Sequence, residues 1–469
     1  MNRMRTTATE TAAGRPTYLT RIKSNCNMEA NENQKKAAGI TRRNFIKTSS
    51  LGGAGIITAP YIAMNSWAQT APSDMIRHAV IGTGRQGTGH CERFASAKGC
   101  QLVAVSDVDP VRLNASVKGR PNESKIKKYA DFRKLLEDKS IDSVTIATPD
   151  HWHTPIALWA LMAGKHVYVE KPSSHNVRET NLLVKAARQY KKCVQHGTQR
   201  RSDGDHIEGM RQLRDGVIGK IHTVKAINHQ LRGPVGRAPV EPPPPGVDYD
   251  MWLGPAPKVP FTKNRWHYEW HWFWDYGGGD TTNDGVHQID VAVWAMGDRY
   301  PERMIVSGGQ YFYDDDHQTP DTQTAVFEYG DGQLIYEMRL WTPYKLEGHD
   351  NGNVIYGTDG RMDFGRAGVV VTRGDEQFKI ESPQPVEPIV PNFLTAVREN
   401  DPGKLLSPIE IGSVSVNLCN LTNIATRLRA PEIRYDPVKE DVTCPGHEEE
   451  ARALLGREYR KGYELPYQG

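Results

Sequence analysis

The run Arg77-His78-Ala79-Val80-Ile81-Gly82-Thr83-Gly84-Arg85-Gln86-Gly87 joins a short β-rich stretch to three spaced glycines, and a helical stretch follows to Lys98. Leu102-Val103-Ala104-Val105 then reads as a second apolar strand, ending in Ser106-Asp107. A strand, G-x-G-x-x-G, a helix and a further strand closing on an acid form a dinucleotide fingerprint. Gly82 allows the tight turn, Gly84 lets a pyrophosphate approach the backbone, and Gly87 lets helix and strand pack closely. Arg85 and Gln86 open the helix, where unpaired N–H groups and a partial positive charge suit phosphates. Asp107 is placed to accept hydrogen bonds from the adenine-ribose hydroxyls, and its charge repels a 2′-phosphate, so NAD fits better than NADP. Asp109 precedes Pro110 and reads as a helix cap.

The alternation continues outward from this unit. Residues 132–137 read as a helix, 143–147 as a buried strand and 154–162 as a helix closed by Gly164. Residues 166–170 form the next strand, 178–190 a helix and 193–195 a last strand. Strands alternating with helices imply a doubly wound parallel sheet, whose ligands bind beyond the strand C-termini. Three peptides fall at such ends: Thr148-Pro149-Asp150-His151-Trp152-His153, Glu170-Lys171-Pro172 and Gly197-Thr198-Gln199-Arg200-Arg201. Thr148, Pro149, His153, Glu170, Lys171 and Gln199 are therefore candidate cofactor contacts.

Glu170-Lys171-Pro172, after Ala163-Gly164-Lys165-His166-Val167-Tyr168-Val169 and with Thr148, Pro149 and His153 upstream, resembles the Gfo/Idh/MocA oxidoreductases. That family is named after glucose–fructose oxidoreductase and inositol dehydrogenase, and the resemblance covers residues 75–430. It implies an N-terminal Rossmann domain and a C-terminal α/β domain with a large, mainly antiparallel open sheet. One face of that sheet would form the substrate pocket and the back an interface in a homodimer or homotetramer. It also implies NAD(P)-dependent oxidation or reduction of a sugar-like carbinol. Lys171 would lie beside the nicotinamide and the substrate hydroxyl, Glu170 and His153 would help hold the nicotinamide end, and Pro172 would fix the turn. Without the resemblance, a lone lysine reads as a surface residue. Burial near a positive ring should lower its pKa towards a useful value.

From about residue 200 the pattern changes to fair alternation, with strands at 221–228, 303–307, 322–329, 333–340 and 352–357. Trp266-His267-Tyr268-Glu269-Trp270-His271-Trp272-Phe273-Trp274 holds six aromatic residues in nine. Aromatic faces suit the C–H faces of sugars, and an ordinary core or interface cluster reads equally well. Asn283-Asp284-Gly285-Val286-His287-Gln288-Ile289-Asp290 opens a helix running to Met296. The family pattern is Asp-x-x-x-His-x-x-Asp; His287 and Asp290 match it, and Asn283 stands where the first aspartate is expected. Asparagine can orient a hydroxyl but cannot hold a proton. Either Asp284 swings in, or His287 and Lys171 share the proton transfer alone. His151 and His153, His267 and His271, and Asp284 and His287 have ligand-like spacings, but no set of three or four sits in a recognised arrangement, so no metal is expected.

The chain has 469 residues, 38% hydrophobic and 25% charged, near average globular usage. Residues 1–68 carry ten basic and three acidic residues, leaving 49 basic against 53 acidic for the remainder. The foldable part thus lacks the basic footprint of a nucleic-acid binder, and no later stretch is apolar enough for a membrane span. Thr41-Arg42-Arg43-Asn44-Phe45-Ile46-Lys47, a weakly apolar run at 51–64 and Ser66-Trp67-Ala68 form the pattern of a twin-arginine export signal. The expected organisation is a targeting segment at 1–68, a Rossmann NAD(P)-binding domain at 75–200, a substrate-binding and oligomerisation domain at 201–430 and a tail at 431–469. Five cysteines remain after the signal, unpaired in spacing, so buried thiols are expected. The expected activity is that of an exported dehydrogenase acting on a sugar, sugar acid, cyclitol or glycoside, with a tightly held NAD. A redox-neutral glycosidase or isomerase is the alternative. Related NAD-dependent glycosidases commonly replace the lysine of the Glu-Lys-Pro motif, which Lys171 retains.

Overall fold

The computed structural model describes residues 75–469; the export signal expected at 1–68 lies outside the described residues. β1 (Ile76–Ile81), α1 (Arg85–Ser96), β2 (Cys100–Ser106), α2 (Pro110–Val117), β3 (Lys127–Tyr129), α3 (Phe132–Leu136), β4 (Ser143–Ile146), α4 (Asp150–Met162), β5 (His166–Val169), α5 (Val177–Tyr190) and β6 (Val194–His196) follow in order. The six strands form one parallel sheet, β3-β2-β1-β4-β5-β6, the doubly wound arrangement expected. β4, β5 and β6 are buried along their whole length, as helices on both faces of a parallel sheet require. Asp109 caps α2, accepting from Val111 N at 2.8 Å, with Pro110 as the first helical residue.

α4 departs from the sequence reading. Pro155 suits a first turn, which suggests a start at Thr154, yet the helix begins at Asp150 and carries Pro155 inside. Tertiary bonds hold the earlier turn in place. His151 Nε2 pairs with Trp252 O at 2.9 Å, and Trp152 Nε1 donates to Met251 O at 3.0 Å. The peptide read as a strand-end loop is therefore a helix N-terminus.

The second half comprises α6 (Gly204–Arg214), β7 (Ile221–His229), α7 (Tyr249–Leu253), α8 (Gly279–Asn283), α9 (Gly285–Ala295), β8 (Arg303–Gly309), β9 (Thr322–Glu328), β10 (Gln333–Arg339), β11 (Asn351–Gly357), β12 (Arg361–Gly365), β13 (Gly368–Arg373), β14 (Glu376–Ile380), α10 (Ile389–Glu399), α11 (Ile409–Leu428), β15 (Glu432–Asp436), β16 (Asp441–Thr443) and α12 (Glu448–Leu454). Ten strands make one sheet, β14-β13-β12-β11-β7-β10-β9-β8-β15-β16, antiparallel except where β7 and β10 run parallel. β12–β14 and β15–β16 were not read from the sequence. They are short and turn tightly at glycines such as Gly365 and Gly368.

α11 packs against both α9 and α5 and so ties the two halves together. Arg201 reinforces the join: its guanidinium, 3% exposed, pairs with Asp290 Oδ2 at 2.8 Å and Asp298 Oδ1 at 2.7 Å. Asp290, the last carboxylate of the expected helical pattern, is thus engaged in a buried ion pair. Beyond α12 the chain returns over the first half. Tyr459 donates to Glu179 Oε1 at 2.8 Å, Tyr467 donates to Gln189 at 2.7 Å, and Leu465 is buried. The five cysteines of the described residues are free and buried. No helix among them is long and apolar enough to cross a membrane.

Candidate active site

β1, β4 and β5 end side by side, which brings the turns at Gly82, Thr148 and Glu170 together. Gly82 has φ +82°, and a Cβ there would stand 2.7 Å from the Ala147 backbone. At Gly87 a Cβ would meet Gly82 O at 1.8 Å. Only glycine fits these positions, and the α1 N-terminus is left open to a phosphate. A cavity of about 670 Å³ begins over this turn and extends to the large sheet's domain.

Gly82, Gly84, Arg85, Gln86 and Asp107 line one part of the cavity. Asp107 Oδ2 accepts from Thr83 N at 2.6 Å and the Thr83 hydroxyl at 3.0 Å, while Oδ1 accepts from Asp109 N at 2.9 Å. Burial pushes this carboxyl above its ordinary range. Thr148, Pro149, Asp150, His153, Glu170 and Lys171 line the next part. Both His153 nitrogens face carbonyls, Pro172 O at 2.5 Å and Thr148 O at 2.8 Å, so the ring ties the two turns together. Glu170, 3% exposed, bonds His90 Nε2 at 2.6 Å. Burial raises its carboxyl, but the His90 hydrogen bond and the charges of His90 and Lys171 outweigh burial and hold it at about 2. His90 went unassigned in the sequence; its signal is the i,i+3 spacing from Gly87 on α1.

Lys171 Nζ reaches across to the second half, donating to Asn283 O at 2.5 Å and Asn283 Oδ1 at 3.1 Å. One helix from Asn283 to Met296 was expected, and instead the chain breaks at Asp284. His287 N bonds Asp284 O at 3.0 Å, which leaves the Asn283 carbonyl free for the amine. Asn283 Nδ2 in turn donates to Asp280 Oδ1 at 3.0 Å. Arg232 Nη2 donates to Asp280 Oδ1 at 3.0 Å and Asp284 Oδ2 at 3.1 Å, and the Gln230 amide also donates to Asp284. Asp284 therefore belongs to the arginine rather than to Lys171. Arg232 and Asp280 were missed; Asp280 stands one helical turn before Asn283, a spacing visible in the sequence.

His287 is half-buried in the first turn of α9 and is not on the cavity wall. Burial, then the Lys171 charge, lowers its pKa to about 4, so the ring is neutral. Gln199 is also off the wall; its 3₁₀ turn sets its side chain beside the Tyr168 hydroxyl. Gly87 lies beneath the turn. In the aromatic segment Trp266, His267, Tyr268, Trp270 and His271 line the cavity, Trp266 and Trp270 from within the buried core, while Trp272, Phe273 and Tyr276 lie in the core away from the wall. His271 Nδ1 donates to Tyr268 O, which leaves its Nε2 with a lone pair. No group of three His, Cys, Asp or Glu among the described residues is arranged to hold a metal.

Four buried polar atoms on this wall have no partner within the protein: Thr148 Oγ1, Asp150 Oδ2, Arg232 Nε and Trp266 Nε1. Buried polar groups are nearly always paired, so a cluster of orphans around one cavity fits a bound polar molecule. With the glycine cradle and Asp107, the wall suits a dinucleotide followed by a hydroxyl-rich ligand.

Comparison with known proteins agrees. Residues 76–198 match an oxidoreductase family's NAD-binding Rossmann fold, and residues 229–465 match its C-terminal α/β domain. The chain belongs to the Gfo/Idh/MocA oxidoreductase family. Among curated relatives it is similar to a glycosyl hydrolase family 109 protein of Shewanella baltica, 31% identical over 216 residues. That match covers 41% of this chain, and the chain spans about half the length (47%) of that relative. Among solved structures it resembles an aldose-aldose oxidoreductase from Caulobacter crescentus complexed with glycerol, at 18% identity and a TM-score of 0.59, covering 77% of this chain and 99% of that one. It also resembles the WlbA dehydrogenase from Bordetella pertussis in complex with NADH and UDP-GlcNAcA, at 19% identity and a TM-score of 0.59, with the same coverage. At these identities the likeness is one of fold. Family membership gives the chain an NAD-binding Rossmann fold followed by the family's C-terminal α/β domain.

Proposed function

We propose that this oxidoreductase moves a hydride between a neutral sugar, cyclitol or glycoside and a nicotinamide cofactor, NAD in preference to NADP. The observation that carries the reading is a single cavity joining the glycine turn at 82–87 to the Lys171 amine. Gly82, Gly84, the α1 N-terminus and Asp107 would hold the adenosine and phosphates, with the Thr148 and Glu170 turns beside the nicotinamide end. The nicotinamide supplies or accepts the hydride. Lys171 moves the hydroxyl proton, and Asn283 fixes the amine's position through two hydrogen bonds. Tyr268, Trp270 and His271 offer ring faces and a lone pair to a polyol.

A neutral substrate is favoured over a sugar acid because Arg232 is already shared by Asp280 and Asp284. Export by the twin-arginine route, with the cofactor loaded before export, fits the arginine pair at 42–43. A homodimer or homotetramer fits the open sheet.

The test has two stages. Purified protein is denatured and the supernatant assayed for NAD(H) and NADP(H). The intact protein is then offered neutral sugars and matched uronates while nicotinamide absorbance is followed. Turnover of uronates in preference to neutral sugars overturns the substrate class, and binding of neither dinucleotide overturns the reading. The second reading, a glycosidase working by transient oxidation, draws on the family 109 relatives. Release of nitrophenol from a nitrophenyl glycoside, with no added NAD and no net absorbance change, would favour it.

A further inference from the structure

The end of the chain packs behind one wall of the cavity. That wall is α7, a five-residue helix of the second half laid against the first. Met251 and Trp252 line the cavity there, beside Phe132 and Trp152 of the first half. Asp248 caps α7 and donates its N–H to Val108 O at 3.2 Å, one residue beyond Asp107 at the end of β2. α7 therefore borders the part of the cavity that suits the dinucleotide. On its inner side His151 Nε2 and Trp152 Nε1 both donate to Trp252 O, at 2.9 and 3.1 Å. Gly254 follows with φ +49°, and a Cβ there would stand 2.1 Å from the Trp152 indole, so helix and ring are in close contact.

A helix of five residues fixes too few bonds to hold its own shape, and its neighbours must hold it. The tail does so from the outer side. Arg460 Nε donates to Gly254 O at 2.8 Å, Nη2 to Asp250 O at 2.5 Å, and Nη1 to Asp250 Oδ1 at 2.5 Å. The guanidinium thus sits by the C-terminal end of α7, where a cation is favourable. The Tyr463 hydroxyl donates to Asp250 Oδ2 at 3.0 Å, so both oxygens of that carboxylate are engaged, with Lys258 Nζ 3.5 Å from Oδ1. The guanidinium also lies over the Tyr463 ring, 4.4 Å from its centroid, and that ring meets Trp152 edge-on at 5.8 Å. Leu465, buried in the core of the first half, anchors the segment beyond.

We propose that Arg460 and Tyr463 are positioning residues that hold the α7 wall in its dinucleotide-binding shape before any ligand arrives. Neither lines the cavity; they act through Asp250 on α7 and through the Trp152 ring. The inference rests on the nucleotide reading of the cavity given above. A wall ordered during folding need not be ordered during binding, so the tail's bonds are expressed as cofactor affinity and residence time.

The test uses the whole purified protein, with NADH as the probe. In cofactor-free protein, amide hydrogen exchange of residues 249–256 should quicken about tenfold or more in Arg460→Met and in Tyr463→Leu, while β4 and β5 exchange as in wild type. NADH should bind both variants about tenfold more weakly and leave them faster in a displacement chase. Arg460→Lys, which can meet Asp250 but cannot span the two carbonyls, should recover part of the affinity. Tyr467→Phe, which removes only the tail's bond to Gln189 on α5, should alter neither quantity. Wild-type exchange at 249–256 in both variants overturns the proposal, and so does wild-type NADH affinity in the face of quickened exchange. Equal damage from Tyr467→Phe overturns it as well, since the tail would then act as general packing. If wild type binds neither NADH nor NADPH, the nucleotide reading falls instead, and the exchange result still decides whether the tail holds the wall.

Discussion

The Lys171 amine donates to the main-chain oxygen of Asn283 at 2.5 Å, across the boundary between the two halves of the protein. That oxygen is available because the helix breaks at Asp284, so His287 N turns to a different carbonyl. One helix irregularity therefore sets where the amine sits over the cavity. The Asn283 side chain adds a second acceptor without adding charge.

Lys171→Ala should reduce turnover by about two to four orders of magnitude, the usual worth of a positioned acid or base, while dinucleotide affinity changes little. Steady-state kinetics together with NADH fluorescence titration separate the two effects. Full turnover in the alanine variant would remove the amine from the chemistry. Asn283→Asp makes the opposite test: an adjacent carboxylate favours the ammonium form, so the alkaline limb of the pH–rate profile should move to higher pH.

Gly87→Ala should abolish nucleotide binding and cost about 3 kcal/mol of stability, because the new methyl would overlap Gly82 O. Gly89→Ala provides the control. There a Cβ would meet only the Arg93 guanidinium, at 3.8 Å, and alanine is the better helix former. Thermal melting and NADH titration of both variants check the pair; equal behaviour would contradict the close approach of α1 to β1.

The His90–Glu170 pair predicts a pH dependence of stability. Glu170 is held at about 2, below the value of 4.5 for a free side chain. A carboxyl depressed by folding adds stability above its unfolded value and loses that stability as the pH falls towards the folded one. Wild type should therefore exceed Glu170→Gln by about 3 kcal/mol near neutral pH. The gap should close between the two values, 4.5 and about 2. Urea unfolding of both proteins across that range is the measurement, and a constant gap would refute the assignment.

Asp107 should set the choice of dinucleotide. Its carboxylate is held by Thr83 and Asp109 on the cavity wall beside the glycine turn, and its charge would oppose a 2′-phosphate on a ribose bound there. Asp107→Asn keeps the shape and removes the charge, so affinity for NADPH relative to NADH should rise about tenfold or more. Fluorescence titration with both reduced dinucleotides reads the ratio directly. An unchanged ratio would show that another group makes the choice.

Much of this was visible along the chain. The glycine turn, the strand-end acid and the Glu-Lys-Pro peptide are local signals, since turn geometry and strand termini are written over a few consecutive residues. Strands β7 to β11 were legible because half-buried strands alternate. β12–β14 were not, since strands of five or six residues between tight turns are too short to show a period. The α4 start was misplaced because bonds to Met251 and Trp252, about a hundred residues away, outweigh the local preference of Pro155.

Sequence alone thus determined the parallel sheet, the nucleotide turn and the candidate lysine, because each depends on neighbours in the chain. The partners of that lysine were decided only by tertiary structure. Asn283 faces it through a broken helix, and Asp284 is drawn off by Arg232. Hydrogen-bond capacity is a matter of which groups meet after packing, and residues 112 positions apart in the chain, such as Lys171 and Asn283, meet only because the two halves pack around one cavity.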